Sequence, residues 1–281
     1  MLKMKEIYLD YAATTPVDPR VVETMEPYWT KIYGNPSSLY RPGRQAKDAL
    51  DSARLVVAGF LNSKPEEITF TGGGTESINL AIFGIARAFK DKGRHIITST
   101  IEHHAVLHSL EALEKEGFEI THLGVDEFGF LKPEDIKNAL RPDTILVSVM
   151  YANNEIGTIE PIAEIAKVIK KFREENKNTW PYFHTDACQA TGALDMDVQK
   201  LGVDALTING SKIYGPKGIG CLYLRRGVRI KPLIWGGGQE NNLRSGTENV
   251  PGIMGLARAL EIAQKEKEEE NTRLIKLRDY F

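Results

Sequence analysis

Cysteine is scarce in this chain. Only Cys188 and Cys221 occur among 281 residues, and they form no close-spaced pair. That spacing points to neither a disulfide framework nor a cysteine-based zinc site, and a reducing, cytoplasmic setting is the default expectation. No apolar run reaches the length of a membrane span. The opening segment "MLKMKEIYLDYAATT" lacks an extended apolar stretch followed by a small-residue cleavage site, so no signal peptide is expected. Excess charge is missing too. The formal net charge is −2 and the pI about 6.3, so no large positive field is available to hold a nucleic-acid backbone. There is no internal repeat and no low-complexity segment. Hydrophobic residues make up 42% and charged residues 26% of the chain, an ordinary globular balance. The length allows one large domain, or one domain plus part of a second.

Strand-like and helix-like stretches alternate along the chain. "EITFT" (67–71), "HIITS" (95–99), "FEITHLGV" (118–125), "TILVSVMY" (144–151), "YFHTDA" (182–187), "ALTIN" (205–209) and "GCLYLR" (220–225) read as strands. The apolar spacing predicts helices over 75–90, 103–117 and 161–176, the last with proline in its first turn. "PEDIKNAL" (133–140) continues the alternation, and a final helix starts near Pro251. Its charged part, 264–276, reads as a solvated face. This order predicts an α/β domain with a mostly parallel sheet, whose ligands bind at the carboxyl ends of the strands.

Five loops at such strand ends carry groups suited to chemistry. "GGGTES" follows the first strand and opens a helix. Its glycines can turn backbone N–H groups toward an anion at a positive helix end, with the Thr75 hydroxyl beside them; a plain glycine turn is the competing reading. "IEHHAV" brings His103 and His104. Capping, a metal pair of His104 with His108, and an imidazole stacked on a planar ligand are all open from spacing, although no carboxylate completes a metalloprotease pattern. "ANNEIG" brings Asn153 and Asn154, as turn formers or as donors to a ligand oxygen. "DACQ" places Asp186 at the end of an apolar strand, where a carboxylate is costly unless paired. It reads either as a helix cap or as the partner of a cationic ring nitrogen, with Gln189 three residues on. Cys188 reads as packing, because no base stands beside it. In "TINGSKIYGPKGIG", Lys212 follows a buried strand and precedes a glycine- and proline-bound turn. A lysine held in a dry pocket can form a Schiff base with an aldehyde. Phosphate cradle, carboxylate for a pyridinium and lysine for an aldehyde together describe the needs of pyridoxal 5′-phosphate (PLP).

The segments "YLDYAATTPVDPRV", "YGNPSS", "TESINLAI", "IEHHAV", "ILVSVMYANNEIGTIEPI", "HTDACQA", "SKIYGPKGIG" and "GGGQENNLRSGTENVPG" closely resemble those of the cysteine desulfurases, PLP enzymes of the class V aminotransferase family. The resemblance implies fold type I, with a mostly parallel, seven-stranded-type sheet flanked by helices. It implies an N-terminal arm over 1–15, a large PLP-binding domain over 16–250, and a helix from 251–281 leading toward a C-terminal small domain. It implies that Lys212 carries the cofactor and then shuttles protons. Asp186 would bind the pyridinium nitrogen, Gln189 and Asn154 would sit near the phenolic oxygen, and His103 would stack on the ring. Gly74 and Thr75 would hold the phosphate, joined by Thr247 from a second subunit of a homodimer. The substrate implied is L-cysteine, and the sulfur would pass to an iron–sulfur scaffold or other acceptor protein, for clusters or thionucleosides.

The sequence also departs from the family pattern. Members usually have Ser-x-His before the lysine; here Asn209, Gly210 and Ser211 precede Lys212, and Asn209 and Ser211 are the expected phosphate donors. Tyr40 stands where many members have histidine, and Asn241-Asn242 replaces a common Arg-Gly pair. The family's nucleophilic cysteine and substrate-binding arginine belong to the small domain, and neither Cys188 nor Cys221 matches that cysteine. The expectation is therefore a chain that carries the cofactor half and is weak or inactive alone. A PLP-binding scaffold without catalysis, and a selenocysteine lyase or another enzyme of the family, are the alternatives.

Overall fold

The computed structural model describes residues 7–281; the first six residues of the expected N-terminal arm lie outside the described residues. In chain order the elements are α1 (Pro19–Met25), α2 (Pro27–Thr30), α3 (Arg41–Phe60), β1 (Ile68–Thr71), α4 (Gly74–Phe89), β2 (His95–Ser99), α5 (His104–Lys115), β3 (Glu119–Leu123), α6 (Pro133–Ala139), β4 (Thr144–Ser148), α7 (Ile162–Asn176), β5 (Tyr182–Asp186), α8 (Val198–Leu201), β6 (Ala205–Asn209), β7 (Gly220–Leu224) and α9 (Val250–Tyr280).

The seven strands form one sheet in the order β1-β7-β6-β5-β4-β2-β3. β2, β3, β4, β5 and β6 pair in parallel, as expected when helices connect them. β7 is the exception: it runs antiparallel to both β6 and β1. The link from β6 to β7 is a short glycine-rich turn with no room for a crossover helix, so the chain must reverse there. The two reversals cancel, and β1 again points the same way as β6. Six carboxyl ends therefore lie along one edge of the sheet.

Side-chain alternation splits the core between the two faces. Ile97, Val147 and Phe183 pack on the side of α3, α7 and α9, while their neighbours Ile96, Leu146 and Tyr182 pack toward α4 and α5. The central strands β2, β4 and β5 are buried along their whole length, which is what a sheet covered on both faces requires. In α9 the buried side chains end at Leu260, and Leu274, Ile275, Leu277 and Tyr280 are exposed.

Residues 236–249 form a loop over the β1 edge. Glu240 is almost fully buried and receives a bidentate bond from Arg54, at 2.6 and 2.9 Å. It also accepts the Phe70 N–H of the edge strand at 2.8 Å. That anchor holds Glu240, Asn241 and Asn242 consecutively at positive φ. Asparagine tolerates this region well and a glutamate less so, so the buried ion pair offsets the backbone cost.

Candidate functional site

The edge where the carboxyl ends meet holds a cavity of about 450 Å³. Eight expected site residues line it: Gly74, Thr75, His103, Asn154, Asp186, Gln189, Asn209 and Lys212. They arrive from five segments, after β1, β2, β4, β5 and β6. Ser211 and Thr247 do not line it. The Ser211 carbonyl instead accepts from the backbone N–H and hydroxyl of Thr15, at 2.9 and 3.0 Å. Thr247 is exposed on the 236–249 loop.

The turn before α4 has the form of an anion cradle. Gly73 takes a φ of +141°, and a Cβ on Gly74 would stand 2.9 Å from Cys188 Sγ. Glycine lets this helix end sit close to the loop after β5 without displacing that sulfur. The amides of Gly74, Thr75 and Glu76 find no acceptor among the described residues, and no side chain caps the helix. Three donors and the positive end of a 16-residue helix are thus free for an anion.

His103 performs one of its plainer expected roles as well as lining the cavity. It is the N-cap of α5, and its Nδ1 accepts from Ala105 N–H at 3.0 Å. That bond leaves the proton on Nε2 and fixes the ring. Asn153 is the turn former of its pair: its Oδ1 accepts from the amides of Glu155 and Ile156, at 2.8 and 3.0 Å. Asn154 is left facing the cavity.

Asp186 combines both of its readings. Oδ1 accepts the Cys188 N–H at 2.9 Å, while Oδ2 takes no bond among the described residues. Gln189 Oε1 is buried in the same wall without a partner among the described residues. An orphaned acceptor and a half-used carboxylate, both buried, call for donors on a ligand. Lys212 Nζ, opposite, donates to the carbonyls of Ala12 and Ala13, at 2.6 and 2.7 Å. The arm over residues 12–15 therefore packs directly against the turn that carries Lys212.

Cys188 lines the cavity but is not poised to attack. Burial, with the charge of Asp186 beside it, pushes its thiol well up. Burial does the same for Cys221 within β7. Both sulfurs are held as thiols.

Glu102 escapes sequence reading. It is buried next to His103, and its Oε1 accepts from Ser99 Oγ at 2.6 Å and from Met150 N–H at 2.8 Å. Oε2 has no partner among the described residues. Burial, reinforced by the charges of Asp186 and Glu160, pushes its carboxyl up to about 8. The signal in the sequence was the carboxylate in "IEHHAV", directly after a buried strand.

A half-used carboxylate, three free amides, a fixed imidazole and one lysine amine surround a single cavity, a donor set suited to an anionic ligand. The aminotransferase class-V family model matches residues 7–280. The "Cysteine desulfurase IscS" of Dictyoglomus turgidum is 54% identical over 99% of this chain and 68% of its own length. The protein of the same name from Methanosarcina thermophila is 55% identical over 98% of this chain and 66% of its own. The chain spans about two thirds of the length of these curated relatives. Among solved structures, a "NifS-like protein" superposes with a TM-score of 0.94 at 43% identity, covering 98% of this chain and 74% of that one. "SspA in complex with cysteine" superposes at 0.86 with 42% identity, covering 91% and 72%. The chain belongs to the class-V aminotransferase family, in its cysteine desulfurase branch.

Proposed function

We propose that this chain binds PLP in the cavity and supplies the cofactor side of a cysteine desulfurase, which converts L-cysteine to L-alanine and a protein-bound persulfide. The observation that carries the reading is the grouping of Lys212, Asp186 and the free amides of α4 around one cavity. The orphaned Gln189 Oε1 and the unpaired Asp186 Oδ2 fit the polar edge of such a ring.

Lys212 is the amine that meets the aldehyde, and it then carries a proton to and from the substrate α-carbon. Asp186 holds the proton on the ring nitrogen through Oδ2. His103, locked by its cap, covers one face of the ring, and Gln189 and Asn154 serve the phenolic oxygen. Gly74, Thr75 and Asn209 hold the phosphate, with Thr247 reaching in from a second copy of the chain. When bound, PLP supplies an electron sink that makes loss of the α-proton easy and exposes the sulfur to attack. Neither Cys188, whose thiol is raised by burial and by the Asp186 charge, nor Cys221, enclosed within β7, is suited to be the attacking thiolate.

L-Cysteine as substrate is supported by the names of the relatives and by the cysteine complex of a structural neighbour. A homodimer, delivery of sulfur to an iron–sulfur scaffold, and a cytoplasmic setting complete the reading. Among the described residues no helix is long and apolar enough to cross a membrane. The domain plan proposed is an arm to residue 15, a large domain over 16–250, and a connecting helix from 251.

The test is borohydride reduction of the chain with PLP, followed by peptide mass spectrometry. A pyridoxyl adduct on Lys212 is expected; an unmodified Lys212 would end the proposal. With PLP and L-cysteine, the 281-residue chain alone should release little sulfide, and Lys212-dependent rapid release would contradict the assignment of the two thiols.

A further inference from the structure

Glu76 is placed oddly for a protein that binds an anion. It lies in the first turn of α4, among the amides that form the cradle. A carboxylate there competes for the same donors and repels the same charge. The structure shows how it is kept out of the way. Glu76 Oε2 folds back to accept the Gly72 N–H at 2.8 Å. A Cβ on Gly72 would stand 2.6 Å from that oxygen, so the turn and the carboxylate are fitted to each other. Arg244 closes over the carboxylate, with Nε 2.8 Å from Oε1 and Nη2 3.4 Å from Oε2. Arg244 comes from the 236–249 loop, which Glu240 pins to Arg54 and to the β1 edge. It arrives three residues before Thr247.

We infer that Glu76 and Arg244 are a positioning pair for the anion cradle: Glu76 shapes the Gly72–Gly74 turn, and Arg244 neutralises Glu76 so that the free amides can receive a phosphate. The inference rests on the PLP reading above and assigns two residues that the sequence reading did not place in the site. The pair is about three-quarters buried, at 25% and 26% side-chain exposure, so its charge balance is only partly screened by solvent. The pair also ties the cradle to the loop that carries Thr247.

The test uses the whole 281-residue chain and two ligands that differ only in the phosphate. PLP and pyridoxal are titrated against wild type, Arg244→Gln, Glu76→Gln and the double variant, with affinity read from visible absorbance and tryptophan fluorescence. Arg244→Gln uncovers the Glu76 charge and should weaken PLP by roughly tenfold or more, leaving pyridoxal nearly unchanged. The double variant should recover most of that loss, because the charge that Arg244 covered is gone. A purely structural role predicts the opposite: both ligands weaken together, and a second substitution makes matters worse. The inference is overturned if Arg244→Gln leaves PLP affinity unaltered, weakens both ligands alike, or is not rescued by Glu76→Gln. If wild type binds no PLP, the reading of the site falls and takes the pair's role with it; if wild type binds and the variants do not differ, only the pair's role falls.

Discussion

Replacing Glu102 by glutamine should make the protein more stable at alkaline pH and change how its stability responds to pH. The carboxyl titrates near 8 in the folded chain, against an ordinary value of 4.5. Between those values the folded state holds a proton that the unfolded state has released. Stability therefore falls as pH rises through this window, by about 1.4 kcal/mol per pH unit. By pH 8 the accumulated penalty is about 4 kcal/mol. His184 works in the other direction. It is buried between Ser148 Oγ and Thr207 Oγ1, and desolvation lowers it to about 3 from an ordinary 6.5. The unfolded chain takes up that proton first, so stability is lost as pH falls from 6.5 toward 3. From 4.5 to 6.5 the two slopes oppose and the wild type is nearly level in these two groups; from 6.5 to 8 only Glu102 acts of the two, and stability drops. Glutamine keeps an oxygen for Ser99 and Met150 but places an amide where Oε2 has no partner, which costs about 1 kcal/mol at every pH. The test is therefore the slope and not the height. Urea unfolding should show wild type losing stability from 6.5 to 8 while Glu102→Gln stays level. Parallel curves for the two proteins would refute a buried neutral carboxyl.

Three further outcomes are expected. Glu240→Gln leaves Arg54 buried without its partner, and should lower unfolding free energy by about 3–5 kcal/mol in denaturant titrations. Gly74→Ala brings a methyl against Cys188 Sγ and should weaken PLP binding; adding Cys188→Ala should restore part of it, which a titration of both variants checks. His103→Ala removes an N-cap and should cost about 1 kcal/mol in thermal unfolding. His103→Asn should recover that stability without recovering the absorbance spectrum of the bound cofactor.

Much of the fold is legible in the residues because its signals are local. The strands over 95–99 and 205–209 match the expected bounds, since each is a short apolar run between turn signals. The helix α3 (Arg41–Phe60) is not among the expected elements. Its buried face, Gly43, Ala46, Leu50, Ala53 and Val57, recurs at helical spacing, so the periodic signal is present in the residues and is passed over because most of that face is small. The site is legible where each group follows its own strand, as Asp186 and Lys212 do. It is illegible where charges meet across the chain. Arg54 and Glu240 are 186 residues apart, Glu76 and Arg244 are 168 apart, and no single-sequence pattern joins them. The hold of Ala12 and Ala13 on Lys212 is hidden for the same reason.

The cavity takes its walls from five strand ends spread between Gly74 and Lys212. No one of them makes a binding site, and all five converge only while the sheet is intact. A ligand that needs them together binds the native chain and ignores the unfolded one. At about a hundredfold excess over its dissociation constant such a ligand adds roughly 2.7 kcal/mol to folding stability. If that ligand is the proposed PLP, its supply would govern how long the folded chain survives as well as its chemistry.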